Sequence, residues 1–185
     1  MNILALAGNV KTPSRTASLV RLIADRLQPH IGGTVQHIEL VEAAPVLFRA
    51  LRADQLDSEG RALVEAVEGA DIIVVGSPVY RASYSGALKH LFDLVDYRAL
   101  AGKRVILAAT GGTPLHGLML EHQMRPLFGF FNAITVQTAI YALETDFADY
   151  ELTNPVVVGR IDRAVEELAA ITPSDVITPR PGLAA

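Results

Sequence analysis

The chain has 185 residues, enough for one domain with a sizeable core, and its composition, 50% hydrophobic and 19% charged, is ordinary for a globular protein and excludes a disordered chain. A formal net charge of −4 provides no basic field for a polyanion, so nucleic acid is not an expected partner. The absence of cysteine excludes disulfides, thiolate metal sites, iron–sulfur clusters and cysteine nucleophiles.

The first eight residues, MNILALAG, are too short and too uncharged for a signal peptide, and no apolar run is long enough for a bilayer. A cytoplasmic location without membrane contact is therefore expected. Residues 3–7 form an apolar run that ends at Gly8, the pattern of a strand covered on both faces. Residues 14–27 have helical spacing, with Leu19, Leu22, Ile23 and Leu27 on one face. After Gly32-Gly33 a second strand is predicted at 34–40, then a loop around Pro45 and a helix at 60–67. Residues 71–76 give the clearest buried strand, followed by a helix at 85–95 and a fourth strand at 104–109. A long helix at 115–131, a fifth strand at 134–141 and a helix at 156–170 close the domain, 1–172. The segment 173–185, with Pro173, Pro179 and Pro181, reads as a loose tail.

Strands alternating with helices predict an α/β fold, a flavodoxin-like doubly wound five-stranded parallel sheet with strand order 2-1-3-4-5. Ligands in such sheets sit beyond the carboxyl ends of the strands. Three of those ends carry glycine turns, at Gly8, Gly76 and Gly111-Gly112, and the predicted order makes their strands neighbours.

The first loop runs through Asn9, Lys11 and Pro13 to Ser14, Arg15 and Thr16 at the start of a helix. Unpaired amides and the positive dipole end make that position an anion site, to which two hydroxyls and a bidentate guanidinium are added. It is neither a Walker loop nor a Gly-x-Gly-x-x-Gly turn. The plainer alternative has Ser14 as a cap and Arg15 solvated. In the second loop, Pro78 fixes the turn, Val79, Tyr80 and Arg81 follow, and Gly86 allows close approach at the next helix. Tyr80 could cover a flat ring or simply be a surface aromatic, while Lys89 and His90 read as a solvated helix face. In the third, Thr110, Gly111 and Gly112 allow backbone near a planar ligand, and Thr113-Pro114 starts a helix.

These segments together resemble the NAD(P)H-dependent FMN reductase family. The residues that carry the likeness are Pro13-Ser14-Arg15-Thr16, the run from Ser77 to Gly86 with Leu88-Lys89, and Ala109-Thr110-Gly111-Gly112-Thr113. Within that family the chain is most similar to reductases serving alkanesulfonate and methanesulfonate monooxygenases. The resemblance implies FMN phosphate at Ser14, Arg15 and Thr16, and the flavin ring against residues 78–81 and 110–112. It implies NADH or NADPH as hydride donor, a flavin-dependent monooxygenase as recipient of reduced FMN, and a homodimer or homotetramer. Many relatives have Gly-Ser after the first strand where this chain has Gly8-Asn9, and the Asn9 amide would donate to phosphate instead. Two alternatives share the fold: a flavin-retaining quinone or azo reductase, and a flavodoxin-type electron carrier. The carrier fits less well, since carriers resemble strongly acidic proteins with a tryptophan beside the flavin and this chain has no tryptophan.

Within the long helix, Pro126 lacks the N–H that the His122 carbonyl needs, and the apolar rhythm slips between Met119 and Met124. A π-bulge near His122 would explain both. The same family resemblance implies a role for His122 in assembly and flavin exchange; a simple proline kink is the alternative. His116 and His122 lack metal-ligand spacing, so no metal site is expected.

Overall fold

The computed structural model describes residues 1–172, and the tail expected at 173–185 lies outside the described residues. The apolar runs predicted as strands are buried on both faces, which places them at the centre of a parallel sheet. They are β1 (Asn2–Ala7), β3 (Ile72–Pro78) and β4 (Arg104–Gly111), flanked by β2 (Thr34–Glu39) and β5 (Ile134–Thr135). The order is β2-β1-β3-β4-β5, all parallel, the flavodoxin-like doubly wound arrangement.

Alternate side chains build two cores. Leu4, Leu6, Ile73, Val75, Val105 and Leu107 face α2 (Leu40–Leu47), α3 (Ser58–Glu68) and α4 (Gly86–Leu94). Ile3, Ala5, Ile72, Val74, Ile106 and Ala108 face α1 (Arg15–Ile31) and α6 (Pro155–Ala170). Short polar side chains set the helix starts. Ser14 accepts from the Ala17 amide at 3.2 Å, Asp57 from Gly60 at 2.8 Å and Asn154 from Val156 at 2.9 Å.

The loop expected around Pro45 is instead helix α2. Burial of Leu40, Ala43, Ala44, Val46 and Leu47 outweighs the one backbone bond that Pro45 cannot donate. His90 is not simply solvated: its Nε2 lies 3.1 Å from the Leu47 carbonyl and its ring 4.9 Å from that of Phe48. Gly86 serves no close approach within the chain, since an added Cβ there would meet nothing within 4 Å.

The long helix expected at 115–131 is three pieces: a 3-10 turn (Pro114–Leu118), a π-helical turn (Leu120–Met124) and α5 (Arg125–Phe130). The π turn contains the exposed His122 and ends immediately before Arg125-Pro126. The fifth strand is also divided, into β5 and β6 (Ile140–Leu143), both paired with β4. Arginines fill the gap. Arg125 donates to the Val136 carbonyl at 2.9 Å and to Gln137 at 3.2 Å, and Arg160 donates to Ala139 at 2.5 Å. A small hairpin, β7 (Phe147–Ala148) with β8 (Glu151–Leu152), follows and was not expected. Its turn, Asp149-Tyr150, has positive φ at both residues, the geometry of tight hairpin connections, but carries none of the glycine that usually marks it.

Arg125 is itself held by Glu121, with bonds of 2.5 and 2.9 Å, and this hydrogen bonding keeps the Glu121 carboxyl below its ordinary 4.5. At Glu167 burial pushes the pKa up, but the Thr138 hydroxyl and amide outweigh it and the net direction is down. Replacing Arg125 by alanine leaves the carbonyl of buried Val136 without its charged donor and is expected to cost about 1.5–3 kcal/mol in urea unfolding. Because the folded Glu121 pKa is lowered, the added stabilisation from the Glu121–Arg125 pair is complete above about pH 4.5 and is lost as pH falls through the folded value, while the Arg125 bonds to backbone carbonyls persist. The gap between wild-type and Arg125→Ala midpoints should therefore narrow on acidification without closing.

Candidate functional site

Three loops meet where β1, β3 and β4 end. The register sets Ala7 beside Gly76 and Pro78 beside Thr110, so the strand ends are staggered along one edge. Each loop is then bonded to the other two. Gly8 donates its amide to the Gly76 carbonyl at 2.7 Å and accepts the Ser85 hydroxyl on its own carbonyl at 2.7 Å. Ser85 also donates its amide to Ser77 Oγ at 2.9 Å. The Thr16 and Thr110 hydroxyls share a bond of 2.6 Å, and the Val79 amide donates to the Thr110 carbonyl at 2.8 Å. Buried hydrogen bonds of this kind fix loop positions more firmly than surface ones, since breaking one strands a group away from water.

The pocket enclosed by these loops is lined by Asn9, Ser14 and Arg15 from the first, Pro78, Val79 and Tyr80 from the second, and Thr110, Gly111 and Gly112 from the third. Two expected residues lie elsewhere. Thr16 is buried and its hydroxyl is engaged with Thr110, so it joins two loops rather than lining the pocket. Arg81 is exposed at a turn tip where Arg81 and Ala82 both have positive φ, and the Tyr80 and Ser83 backbones bond across it. His122 on the π turn is likewise outside the lining. Among the described residues no group of three or more His, Asp or Glu is placed to hold a metal ion.

Asn9 is only 2% exposed, and its role differs from the expected one. Its side-chain amide donates to Glu39 Oε2 at 2.9 Å and to the Lys11 carbonyl at 3.2 Å, so those donors are already used. What Asn9 leaves free is its carbonyl oxygen, buried without a partner. The other buried unpaired side-chain atom among the described residues is Arg15 Nε. The site therefore combines one unsatisfied acceptor and one unsatisfied cationic donor, next to the α1 N-terminus and the Ser14 hydroxyl. A ligand bearing both anionic oxygens and hydroxyl groups matches that pair.

Lys11 and Pro13 of the first loop also line the pocket, and two lining residues, Glu144 and Tyr150, escaped the sequence reading. Tyr150 sits at the tip of the β7–β8 hairpin, 5.1 Å from its ring centre to the Arg15 guanidinium carbon. Tyr141, also missed, supports the third loop from behind by donating to the Thr113 carbonyl at 2.6 Å. Burial pushes its phenol above the ordinary range, so it stays a neutral donor.

The profile of a family described as NADPH-dependent FMN reductase matches residues 1–148. The chain is 44% identical over 171 residues to the NADH-dependent FMN reductase SfnF of Pseudomonas fluorescens (strain Pf0-1), covering 92% of this chain and 91% of the relative. It is 43% identical over 169 residues to FMN reductase (NADPH) of Pseudomonas aeruginosa, covering 91% of each. Among solved structures, an oxidoreductase from Corynebacterium diphtheriae superposes with a TM-score of 0.80 at 32% identity, covering 96% of this chain and 97% of that one.

The two glycines of the third loop should respond differently to alanine. At Gly111 an added Cβ would lie 2.3 Å from the Tyr141 hydroxyl, so Gly111→Ala must displace that ring and is expected to cost roughly 1–3 kcal/mol in thermal or urea unfolding. At Gly112 nothing lies within 4 Å, and Gly112→Ala should leave stability unchanged or slightly raised.

Proposed function

The chain belongs to the NADPH-dependent FMN reductase family, and on that footing we propose that it reduces FMN with NADH or NADPH and passes the reduced flavin to a two-component monooxygenase, in sulfonate sulfur assimilation. The observation that carries the reading is the pocket where three mutually bonded loops leave Arg15 Nε and Asn9 Oδ1 buried and unpaired. FMN has the complementary groups: a phosphate for the arginine and ribityl hydroxyls for the asparagine carbonyl.

In this reading Ser14, Arg15 and the α1 amides hold the phosphate, and Thr16 fixes the wall behind them. Pro78, Val79 and Tyr80 with Thr110, Gly111 and Gly112 take the flavin ring, and Arg81 sits at the rim. Asn9 shapes the first loop through Glu39 and turns its carbonyl to the ligand. The chemistry the flavin supplies is acceptance of a hydride at N5 from the nicotinamide C4. The chain's own task is to stack two rings and keep their reacting atoms close, which needs no acid or base from the protein. Assembly as a homodimer or homotetramer involves the face carrying His122, where Leu115 and Leu118 are 85% and 64% exposed. The enzyme works in the cytoplasm; no helix among the described residues is long and apolar enough to cross a membrane.

Anaerobic oxidation of NADH and NADPH, with free FMN titrated from zero, tests the reading. Turnover should require added FMN and saturate with it. Tightly retained flavin that turns over only with a quinone or azo dye would overturn it. Arg15→Ala should weaken FMN binding by roughly 1.5–3 kcal/mol, read by quenching of flavin fluorescence.

A further inference from the structure

We propose that Glu144 limits how tightly the pocket holds the flavin phosphate, by competing with that phosphate for the Arg15 guanidinium; the inference rests on the assignment of Arg15 to phosphate. Glu144 lines the same pocket, and its Oε2 lies 3.8 Å from Arg15 Nη1. A carboxylate inside an anion site works against the ligand twice. It draws on the cation the phosphate needs, and it repels the phosphate directly.

Fold stability does not account for its presence. The Glu144 side chain is 61% exposed and makes no hydrogen bond among the described residues, and an exposed pair at this separation contributes little to folding. Its location, by contrast, is firmly built. Glu144 opens a single 3-10 turn (Glu144–Asp146) that Asp146 pins from both sides. The Leu143 amide donates to Asp146 Oδ2 at 2.7 Å, the Asn154 side chain to Oδ1 at 2.6 Å, and the Thr153 amide to the Asp146 carbonyl at 2.9 Å. The turn thus presents a negative charge to the anion site while the fold gains little from the charge itself.

A carboxylate could instead help the ligand by orienting Arg15. Orientation has a second source here, because the Tyr150 ring already lies against the guanidinium. Removing the charge and keeping the shape should therefore leave Arg15 in place and free its full field for phosphate. Such an arrangement suits a flavin that is a substrate and must leave after each turnover: binding energy is held below the level at which release becomes limiting.

The test compares dissociation constants for FMN and for riboflavin, which lacks the phosphate, by fluorescence quenching at fixed salt. Wild type, Glu144→Gln and Arg15→Ala are measured side by side. Glu144→Gln should bind FMN about three- to tenfold more tightly and riboflavin unchanged. Equal or weaker FMN binding by Glu144→Gln, while Arg15→Ala weakens it, would overturn the role of Glu144 and leave the phosphate assignment standing. Equal tightening of FMN and riboflavin would place the effect on the ring and also overturn it. Unchanged FMN affinity in Arg15→Ala would remove the phosphate assignment and the inference together.

Discussion

Everything at the site depends on a closed circuit of short buried hydrogen bonds among three loops. Gly8 and Ser85 join the first loop to the second, Thr16 and Thr110 the first to the third, and Val79 and Thr110 the second to the third. The side-chain members of the circuit, Thr16, Ser85 and Thr110, are all buried, so releasing any one leaves a polar atom without water. That cost keeps a pocket made of connecting segments as fixed as the strands beneath it. Under the proposed function, the rigid edge in turn aims a few polar atoms, on Arg15, Ser14 and Asn9, at the ligand with little ordering left to occur on binding.

Much of this was legible from residue order alone, for identifiable reasons. Strands buried on both faces must read as uninterrupted apolar runs, so β1, β3 and β4 declared themselves, and their adjacency gathered the right glycine turns. The slip in apolar phase before Pro126 marked a helix that could not continue in one period, and the π turn occupies that stretch. What failed to show was whatever depended on partners distant in sequence. Pro45 looked like a breaker because the burial of its neighbours is a tertiary fact. Residues 134–141 read as one strand because nothing local announces that Arg125 and Arg160 take its carbonyls. Asn9 looked free to donate to a ligand, since Glu39 lies thirty positions away and claims the amide only in the folded chain. The hairpin that delivers Tyr150 hid for a different reason: its turn has positive φ at Asp149 and Tyr150, where glycine or asparagine is the usual signal.

The charge pattern around the pocket is mixed. Lys11 and Arg15 line it together with Glu144, while Glu39 stands behind Asn9. The chain as a whole is net negative, so long-range attraction contributes little to collecting a doubly anionic ligand. Recognition is left to contacts made at hydrogen-bond distance, whose strength single side chains can raise or lower without altering the fold.

The divided fifth strand has a consequence beyond the site. A sheet ends there with backbone groups that could pair with a strand from another molecule. In this chain the Val136, Gln137 and Ala139 carbonyls are already occupied by guanidinium groups, and the strand itself is broken into two short pieces. The border therefore offers only two short pieces separated by carbonyls that are already engaged, a poor template for edge-to-edge growth. Neither piece alone is long enough to present a run of free backbone groups to a strand from another molecule.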